Sequence, residues 1–204
     1  MFRLAKKKDS DDKIFLNHTG GKKSRRRKRG KRIELKEILI WSAEIIAVSL
    51  FAAGIVWSFG QKVINSGDAM SPVLYNGDEV LLNCLIYDIR MPERGEVIAF
   101  DDEHGHNLLR RVVGLPGETV QIEDGEIYID GEIQKEDIYV SEIEYAGNAE
   151  EEITLGEDEF FVIGDNHTGS DDSRMDSIGI IKKEDIFGKA WYVAGNEENA
   201  GLIN

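Results

Sequence analysis

The sequence predicts a mostly β extracytoplasmic domain that follows one N-terminal transmembrane helix. Residues 38–61 contain a single charged residue, Glu44, and a helix of that length crosses a bilayer at about 1.5 Å per residue. The residues after it alternate short apolar runs with Gly, Asp and Pro, as strands and turns do. The net charge also changes sign, from +9 over residues 1–61 to −23 over residues 62–204. We therefore predict a basic cytoplasmic tail at 1–37, a membrane helix at 38–61 and a β domain at 62–204.

The tail carries nine Lys or Arg residues within positions 22–32, and it is too charged to bury a core, so we predict that residues 1–37 are disordered. Such a basic run is also typical of segments that bind nucleic acid and of nuclear-targeting signals. Its place shortly before an apolar segment favours a role in topology and contact with anionic lipid headgroups. The acidic remainder of the chain would repel phosphates. We expect membrane lipids as a partner of the tail, a cytoplasmic N-terminus and no nucleic acid partner.

The apolar run has an alternative interpretation as a signal peptide that is later removed. Against it, the preceding charged region is far longer than that of a leader, and no small-x-small site follows closely after Gly60. Trp41 and Trp57 lie towards opposite ends of the run, as interfacial aromatic residues do. The pattern favours an uncleaved anchor that holds the protein in the plasma membrane with a single pass.

Beyond the anchor, short apolar runs predict strands at 79–82, 95–100 and 160–163. Residues 120–131 alternate apolar and polar side chains around Asp-Gly, and a second Asp-Gly closes the segment, so we predict a hairpin with two tight turns. Residues 134–159 are acidic and lack a pattern, which favours a solvated loop or an excursion at a sheet edge.

The chain contains a single cysteine, Cys84, which excludes an internal disulfide framework. One thiol also provides no ligand cluster for zinc. We predict that Cys84 is a small buried apolar side chain, and we expect neither a metal nor a cofactor.

Four motifs follow one another along the chain in the order SGDAMSPVL (66–74), RGEVIAF (94–100), RRVVGLPGE (110–118) and GDNHTGSDDSR (164–174). They resemble the motifs of the type I signal peptidases, which read G-x-S-M-x-P-T-L, R-G-D-V-I-x-F, K-R-V-I-G-L-P-G-D and G-D-N-R-x-x-S-x-D-S-R. The second motif alone is weak, because it also suits an ordinary core strand. Together the four extend the resemblance from the anchor to Val193, and they imply the β fold of that family.

The resemblance also implies a chemistry. A serine hydroxyl becomes a useful nucleophile when a base removes its proton, and a lysine is such a base only if burial lowers its pKa. In the family, that pair cleaves the peptide bond after a small-x-small leader sequence. Carried over by position, the nucleophile falls on Ala69 and the base on Arg110. Ser170 matches the serine that orients the lysine, and Asp172 with Arg174 matches a supporting ion pair.

Neither replacement is compatible with that mechanism. Alanine has no atom that attacks, and a guanidinium stays protonated at any working pH. We therefore predict that the family reaction is lost at Ala69 and Arg110. The other residues of the first motif to which we assign substrate binding are Ser66, Gly67, Asp68, Met70 and Pro72.

A relocated active site is the alternative. Ser66 and Ser71 flank Ala69, but each is displaced by at least two positions, and catalysis tolerates errors of only about 1 Å. Among the histidines, His104 and His106 belong to a polar Gly-containing segment that is typical of an exposed loop. His167 lies inside the fourth motif at a position where the family has a structural arginine, so a relocated site would need new geometry as well as new chemistry.

Three functions are compatible with these residues. The preferred one is a non-catalytic homologue of signal peptidase I that binds extended peptide segments of secreted or surface proteins by strand addition. Some relatives that lack the catalytic pair act in pilus assembly, so the resemblance implies a role of that kind. The second is an active signal peptidase that processes secreted preproteins through displaced residues. The third is a membrane-tethered scaffold that binds no peptide, and the oligomeric state stays open in all three.

Overall fold

The computed structural model describes residues 35–102, 105–134, 143–194 and 200–203. The chain divides into two units, Met1–Ser42 and Ala43–Asn204. Residues 1–34 of the tail that was predicted to be disordered lie outside the described residues, as does His104. For residues 35–37 the prediction is wrong, because they form the first turn of a helix. The predicted domain boundaries remain predictions.

The apolar run forms one helix, α1, from Leu35 to Phe59. Among the described residues it is the single helix long and apolar enough to cross a membrane. The amide of Gly60 still donates to the Val56 carbonyl at 2.7 Å, but Gln61 already pairs with Leu82 in a sheet. The helix therefore ends two residues before the predicted limit, because the chain enters a strand directly.

Short strands make up most of the chain after α1. Their bounds are β1 Gln61–Ile64, β2 Glu79–Asn83, β3 Val97–Asp101, β4 Asn107–Gly114, β5 Thr119–Glu123, β6 Glu126–Ile129, β7 Glu132–Ile133, β8 Ile153–Thr154, β9 Glu159–Ile163, β10 Ile181–Lys182, β11 Ile186–Ala194 and β12 Gly201–Leu202. A four-residue helix, α2 (Ile86–Ile89), and two 3₁₀ turns, Gly147–Glu150 and Lys183–Asp185, complete the described elements.

The strands form two antiparallel sheets. The first has the order β1-β2-β11-β3-β4-β9-β10, and β12 also pairs with β11. The second has the order β7-β6-β5-β8. Apolar side chains from both faces of the first sheet and from the inner face of the second are removed from water, which is the main source of stability for such a domain.

The predicted hairpin is confirmed. Strands β5 and β6 pair in register around Asp124 and Gly125, whose φ angles of 50° and 82° are both positive, as a type I′ turn requires. Asp130 and Gly131 repeat this geometry between β6 and β7. The strands predicted at 79–82, 95–100 and 160–163 correspond to β2, β3 and β9.

Of the two structures predicted for the acidic segment, the excursion at a sheet edge agrees with β8, an edge strand of the second sheet, and a wholly solvated loop does not. Residues 135–142 lie outside the described part, but Ile143, Ala149 and Leu155 are buried against the second sheet, and β8 pairs with β5. The apolar residues are spaced irregularly, so no strand or helix period reveals them. Cys84 also differs from the prediction, since it is a free thiol of intermediate exposure at the margin of the core.

Candidate functional site

The first motif forms a tight loop between β1 and β2. The side-chain amide of Asn65 donates to the Gly67 carbonyl at 3.3 Å and to the Tyr75 carbonyl at 3.0 Å, which joins the two ends of the loop. Gly67 has a φ of 82°, a conformation that favours glycine. The loop carries Ala69 into the interior, where it is 6% exposed.

Ala69 is joined to the end of β9. Its carbonyl accepts a hydrogen bond from the Asn166 amide at 2.9 Å, and the Asn166 side chain donates to the Asp68 carbonyl at 3.2 Å. A Cβ on Gly164 would lie 2.5 Å from the Ala69 carbonyl oxygen. Only glycine allows these two main chains to approach so closely.

The residues with a substrate-binding assignment divide by exposure. Ser66, Gly67, Asp68 and Pro72 are exposed members of the loop. Met70 is completely buried and packs in the core with Leu74 and Leu82, so its side chain stabilises the loop from below. The peptide-binding role of all five residues stays a prediction.

Ser170 lies against Ala69. Its Oγ and the Ala69 carbonyl oxygen both crowd the point where a Gly164 Cβ would be. The Ser170 hydroxyl is buried and makes no hydrogen bond to any residue that the structure describes. A buried hydroxyl without a partner is unfavourable in free energy, which favours a further partner for this atom.

Asp172 and Arg174 form a buried ion pair behind the loop. Asp172 Oδ1 accepts from Arg174 Nε at 2.8 Å, and Oδ2 accepts from Nη2, also at 2.8 Å. The Gly164 amide donates to the same carboxylate at 3.0 Å. Arg174 Nη1 donates to the Tyr145 carbonyl at 3.1 Å. The pair thereby links Gly164, which contacts Ala69, to the main chain at Tyr145.

Arg110 reaches this site from β4. Its Nε donates to the Asp171 carbonyl at 2.8 Å, and its Nη1 donates to the Leu109 carbonyl at 2.6 Å. The side chain is buried, and desolvation lowers the pKa of Arg110, although Asp172 opposes the shift. No carboxylate of the described residues lies within ion-pair distance of its guanidinium. Arg110 is therefore a buried cation with main-chain partners.

The sequence did not predict a second buried ion pair beside the site. Arg111 Nε and Nη2 donate to the two carboxylate oxygens of Asp165, each at 2.7 Å, and Nη1 donates to the Gly95 carbonyl at 2.6 Å. The available signal was an arginine in an otherwise apolar strand and an aspartate directly after another. This pair connects the second, third and fourth motifs.

The alternative catalytic groups belong to three different segments of the chain. His106 is exposed at the β3–β4 turn, where its Nδ1 is 2.9 Å from a carboxylate oxygen of Asp102. In the β1–β2 loop, Ser66 is exposed and Ser71 is intermediate in exposure, whereas His167 is buried after β9. The described residues contain no group of three His, Cys, Asp or Glu side chains arranged to hold a metal ion.

The arrangement combines a buried cation that has main-chain partners with a buried hydroxyl beside the Ala69 loop. Ala69 and Arg110 provide neither the alcohol nor the neutral amine that a serine and lysine mechanism requires.

The sequence matches the family model described as signal peptidase, peptidase S26, over residues 38–194. Two similar proteins are signal peptidase I of Bacillus amyloliquefaciens and signal peptidase I S of Bacillus subtilis strain 168. The first is 28% identical over 163 residues, which are 76% of this chain and 87% of the relative. The second is 26% identical over 166 residues, 78% of this chain and 89% of the relative.

Among solved structures, a crystal structure of a signal peptidase I from Enterococcus faecalis V583 is 31% identical. The match covers 50% of this chain and 97% of that chain, with a TM-score of 0.43. Because the family model spans more than three quarters of the sequence, the chain belongs to the signal peptidase family, peptidase S26.

Proposed function

We propose that this protein is a membrane-anchored member of the signal peptidase family that does not cleave peptide bonds and instead binds extended segments of secreted or surface proteins. Ala69 occupies the position of the nucleophile and Arg110 that of the general base. The two replacements remove the two partners of a single proton transfer, so either one alone abolishes the dyad chemistry. Assembly of surface proteins or pili is the process that suits such a binding module.

One observation carries the proposal. The loop of Ala69 remains held to the end of β9 by Asn166, and the Asp172–Arg174 ion pair remains buried behind it. A site that had lost all use would not need two buried charges at this point, because replacing such a pair with apolar residues is often neutral or stabilising. Retention of these groups together with loss of the reacting ones supports binding without cleavage.

The proposed topology has the basic tail in the cytoplasm and the acidic β domain outside. The apolar helix and the basic residues that precede it support this orientation, since positive charge is retained on the cytoplasmic side. Strand addition is the proposed mode of peptide binding, because an extended segment satisfies unpaired main-chain groups at a sheet edge.

Photo-cross-linking tests the binding. A leader-derived peptide with a benzophenone at the last residue of its small-x-small sequence is incubated with the full-length protein in detergent. We expect labelling of a tryptic fragment that contains Ala69, and competition by the same peptide without the probe. The matched control is a peptide with Arg in both small positions, which we expect not to label. Failure of the first peptide to label this fragment would favour the scaffold function.

A second candidate is cleavage by displaced residues. It is favoured only by the presence of Ser66 and Ser71 in the loop of Ala69. Incubation of a preprotein with the native protein and with a variant in which both serines are alanine separates the candidates. Displaced catalysis predicts processing by the native protein that the variant loses, whereas binding without cleavage predicts no processing by either.

A further inference from the structure

The three buried arginines of this region differ in whether a carboxylate accepts their hydrogen bonds. Arg174 and Arg111 each donate two hydrogen bonds to a carboxylate. Arg110 donates one each to the carbonyls of Asp171 and Leu109. A guanidinium has five N–H groups, so three of those of Arg110 have no acceptor among the described residues. A buried cation in this state binds an anion favourably, since most of the desolvation has already taken place.

A second polar group without a partner belongs to the same segment of main chain. The carbonyl that accepts from Arg110 belongs to Asp171, the residue directly after Ser170. Ser170 Oγ is buried, has no hydrogen-bond partner among the described residues, and shares with the Ala69 carbonyl oxygen the space beside Gly164. The cation with unused N–H groups and the unused hydroxyl are therefore held by consecutive residues, Asp171 and Ser170.

Neighbouring carboxylates do not satisfy these donors. Asp172 is occupied by Arg174 and by the Gly164 amide. The side chain of Asp171 is exposed and forms no ion pair with the described residues. Burial lowers the pKa of Arg110, which means that its charged form is under-stabilised in the absence of a ligand.

We propose that Arg110 and Ser170 form a receptor for the free α-carboxylate of a peptide, so that the ligand of this site is a C-terminal end rather than a continuous chain. The inference rests on the proposed function and names its ligand. A planar guanidinium matches two carboxylate oxygens, and a serine hydroxyl donates one further hydrogen bond. Arg110 adjoins the Asp171 carbonyl and Ser170 adjoins the Ala69 carbonyl, so both donors border main chain, which favours the main-chain end of a peptide over an Asp or Glu side chain.

The substitution of lysine by arginine then has a functional reason. A lysine poised as a base must be neutral, and a neutral amine attracts no carboxylate. Arg110 stays charged at every working pH and offers a fork of donors. The same position thereby changes from one that activates a nucleophile to one that retains a peptide end.

Fluorescence anisotropy tests the inference on the full-length protein in detergent. The probe is a labelled octapeptide that ends in Ala-Gln-Ala, prepared as the free acid and as the C-terminal amide. We expect the acid to bind at least tenfold more tightly. A third peptide, amidated but with Asp as its last residue, should bind no better than the amide. Binding of this third peptide as tight as that of the acid would overturn the assignment to an α-carboxylate.

Four variants locate the effect. Arg110→Met should reduce the preference for the acid to less than twofold, and Ser170→Ala should reduce it severalfold. Lys182→Met, which removes an exposed positive charge on β10, should leave the preference unchanged. Since Arg110→Met leaves an apolar side chain among main-chain carbonyls, Arg110→Lys is a second variant at this position, and its preference for the acid should also fall well below that of the native protein, because lysine lacks the fixed fork of donors.

The outcomes separate the two proposals. Equal binding of acid and amide would overturn the carboxylate receptor and leave peptide binding intact. No binding of any peptide would overturn both. A preference for the acid that survives in Arg110→Met, with the variant folded by circular dichroism, would overturn the role of Arg110.

Discussion

Two serines of the fourth motif, three residues apart, have opposite surroundings. Ser173 Oγ accepts a hydrogen bond from the Val162 amide at 3.0 Å, whereas Ser170 Oγ has no partner among the described residues. Both side chains are buried. Ser173 therefore stabilises the fold through its hydrogen bond, whereas Ser170 lowers the free energy of unfolding as long as its hydroxyl has no partner.

Alanine substitution should show this contrast. We expect Ser170→Ala to leave the free energy of unfolding unchanged or to raise it by about 1 kcal/mol, because it removes an unsatisfied buried hydroxyl. Ser173→Ala, the matched control, should lower it by about 1–2 kcal/mol, since the Val162 amide loses its acceptor. Thermal unfolding of the full-length protein in detergent measures both. Destabilisation by Ser170→Ala as large as that by Ser173→Ala would show that Ser170 already has a partner.

Glu96 is the acidic residue that links β3 to its surroundings. Burial alone raises its pKa, but hydrogen bonds from Arg90, Lys189 and the Glu93 amide outweigh this effect and lower the pKa to about 2. The carboxylate also accepts a hydrogen bond from the Tyr87 hydroxyl at 3.1 Å. Because the folded pKa lies below the unfolded value near 4.5, the stabilisation is complete above about pH 5 and is lost as the pH falls towards 2.

Glu96→Gln should therefore lower the free energy of unfolding by roughly 2 kcal/mol at pH 7, and the difference from native protein should shrink below pH 4. Glu93→Gln is the control, since its side chain is 70% exposed and should contribute less than about 1 kcal/mol. Denaturation at pH 7 and pH 3 measures the change. If the free energies of unfolding of the native protein and Glu96→Gln differed by the same amount at pH 7 and pH 3, the assigned pKa would be contradicted.

At the level of elements, the site depends on a close approach between the first loop and the end of β9. A Cβ at Gly164 would overlap Ser170 and the main chain of Ala69. Backbone atoms cannot move aside as the end of a flexible side chain can. The close approach of the two main chains therefore requires glycine at position 164.

Gly164→Ala should destabilise the protein by more than about 2 kcal/mol and abolish cross-linking of a leader-derived peptide near Ala69. Gly201→Ala is the matched control, because a Cβ there meets nothing within 4 Å and its φ is not positive. We expect the free energy of unfolding of the control to lie within about 0.5 kcal/mol of that of the native protein. Full stability of Gly164→Ala would show that the loop and β9 separate readily.

Local elements were predictable from the sequence, and long-range pairing was not. The β5–β6 hairpin follows from alternation and Asp-Gly turns that lie within a few residues of one another. The position of β11 between β2 and β3 follows from packing between segments about a hundred residues apart, which no local pattern contains. The buried residues of the acidic segment escaped prediction for the same reason.

The resemblance to the family proposed which residues form the candidate site, but it could not predict their contacts. The motifs assigned catalytic positions to Ala69 and Arg110 because the family patterns align with this sequence residue by residue. They did not reveal that Arg110 is buried against a carbonyl 61 residues later in the chain, or that Ser170 lacks a partner among the described residues. Both facts depend on tertiary packing, and the carboxylate receptor is inferred from them.

At the level of the whole molecule, one apolar helix precedes a domain with a net charge of −23. The domain keeps the fold of the signal peptidase family, and the supporting ion pairs are intact. Under the proposed function, the loss of catalysis follows from Ala69 and Arg110 alone. Ala69→Ser with Arg110→Lys should then restore cleavage of a preprotein, while neither substitution alone should do so.

The proposed loss of catalysis is tested by incubating a secretory preprotein with the purified native protein in detergent, with an active signal peptidase I as the positive control. We expect no processed product, because a site without its nucleophile retains at most the ~10³–10⁴-fold acceleration over water that binding and oxyanion stabilisation provide. Processing by the native protein at a small-x-small site would show instead that the protein is an active peptidase.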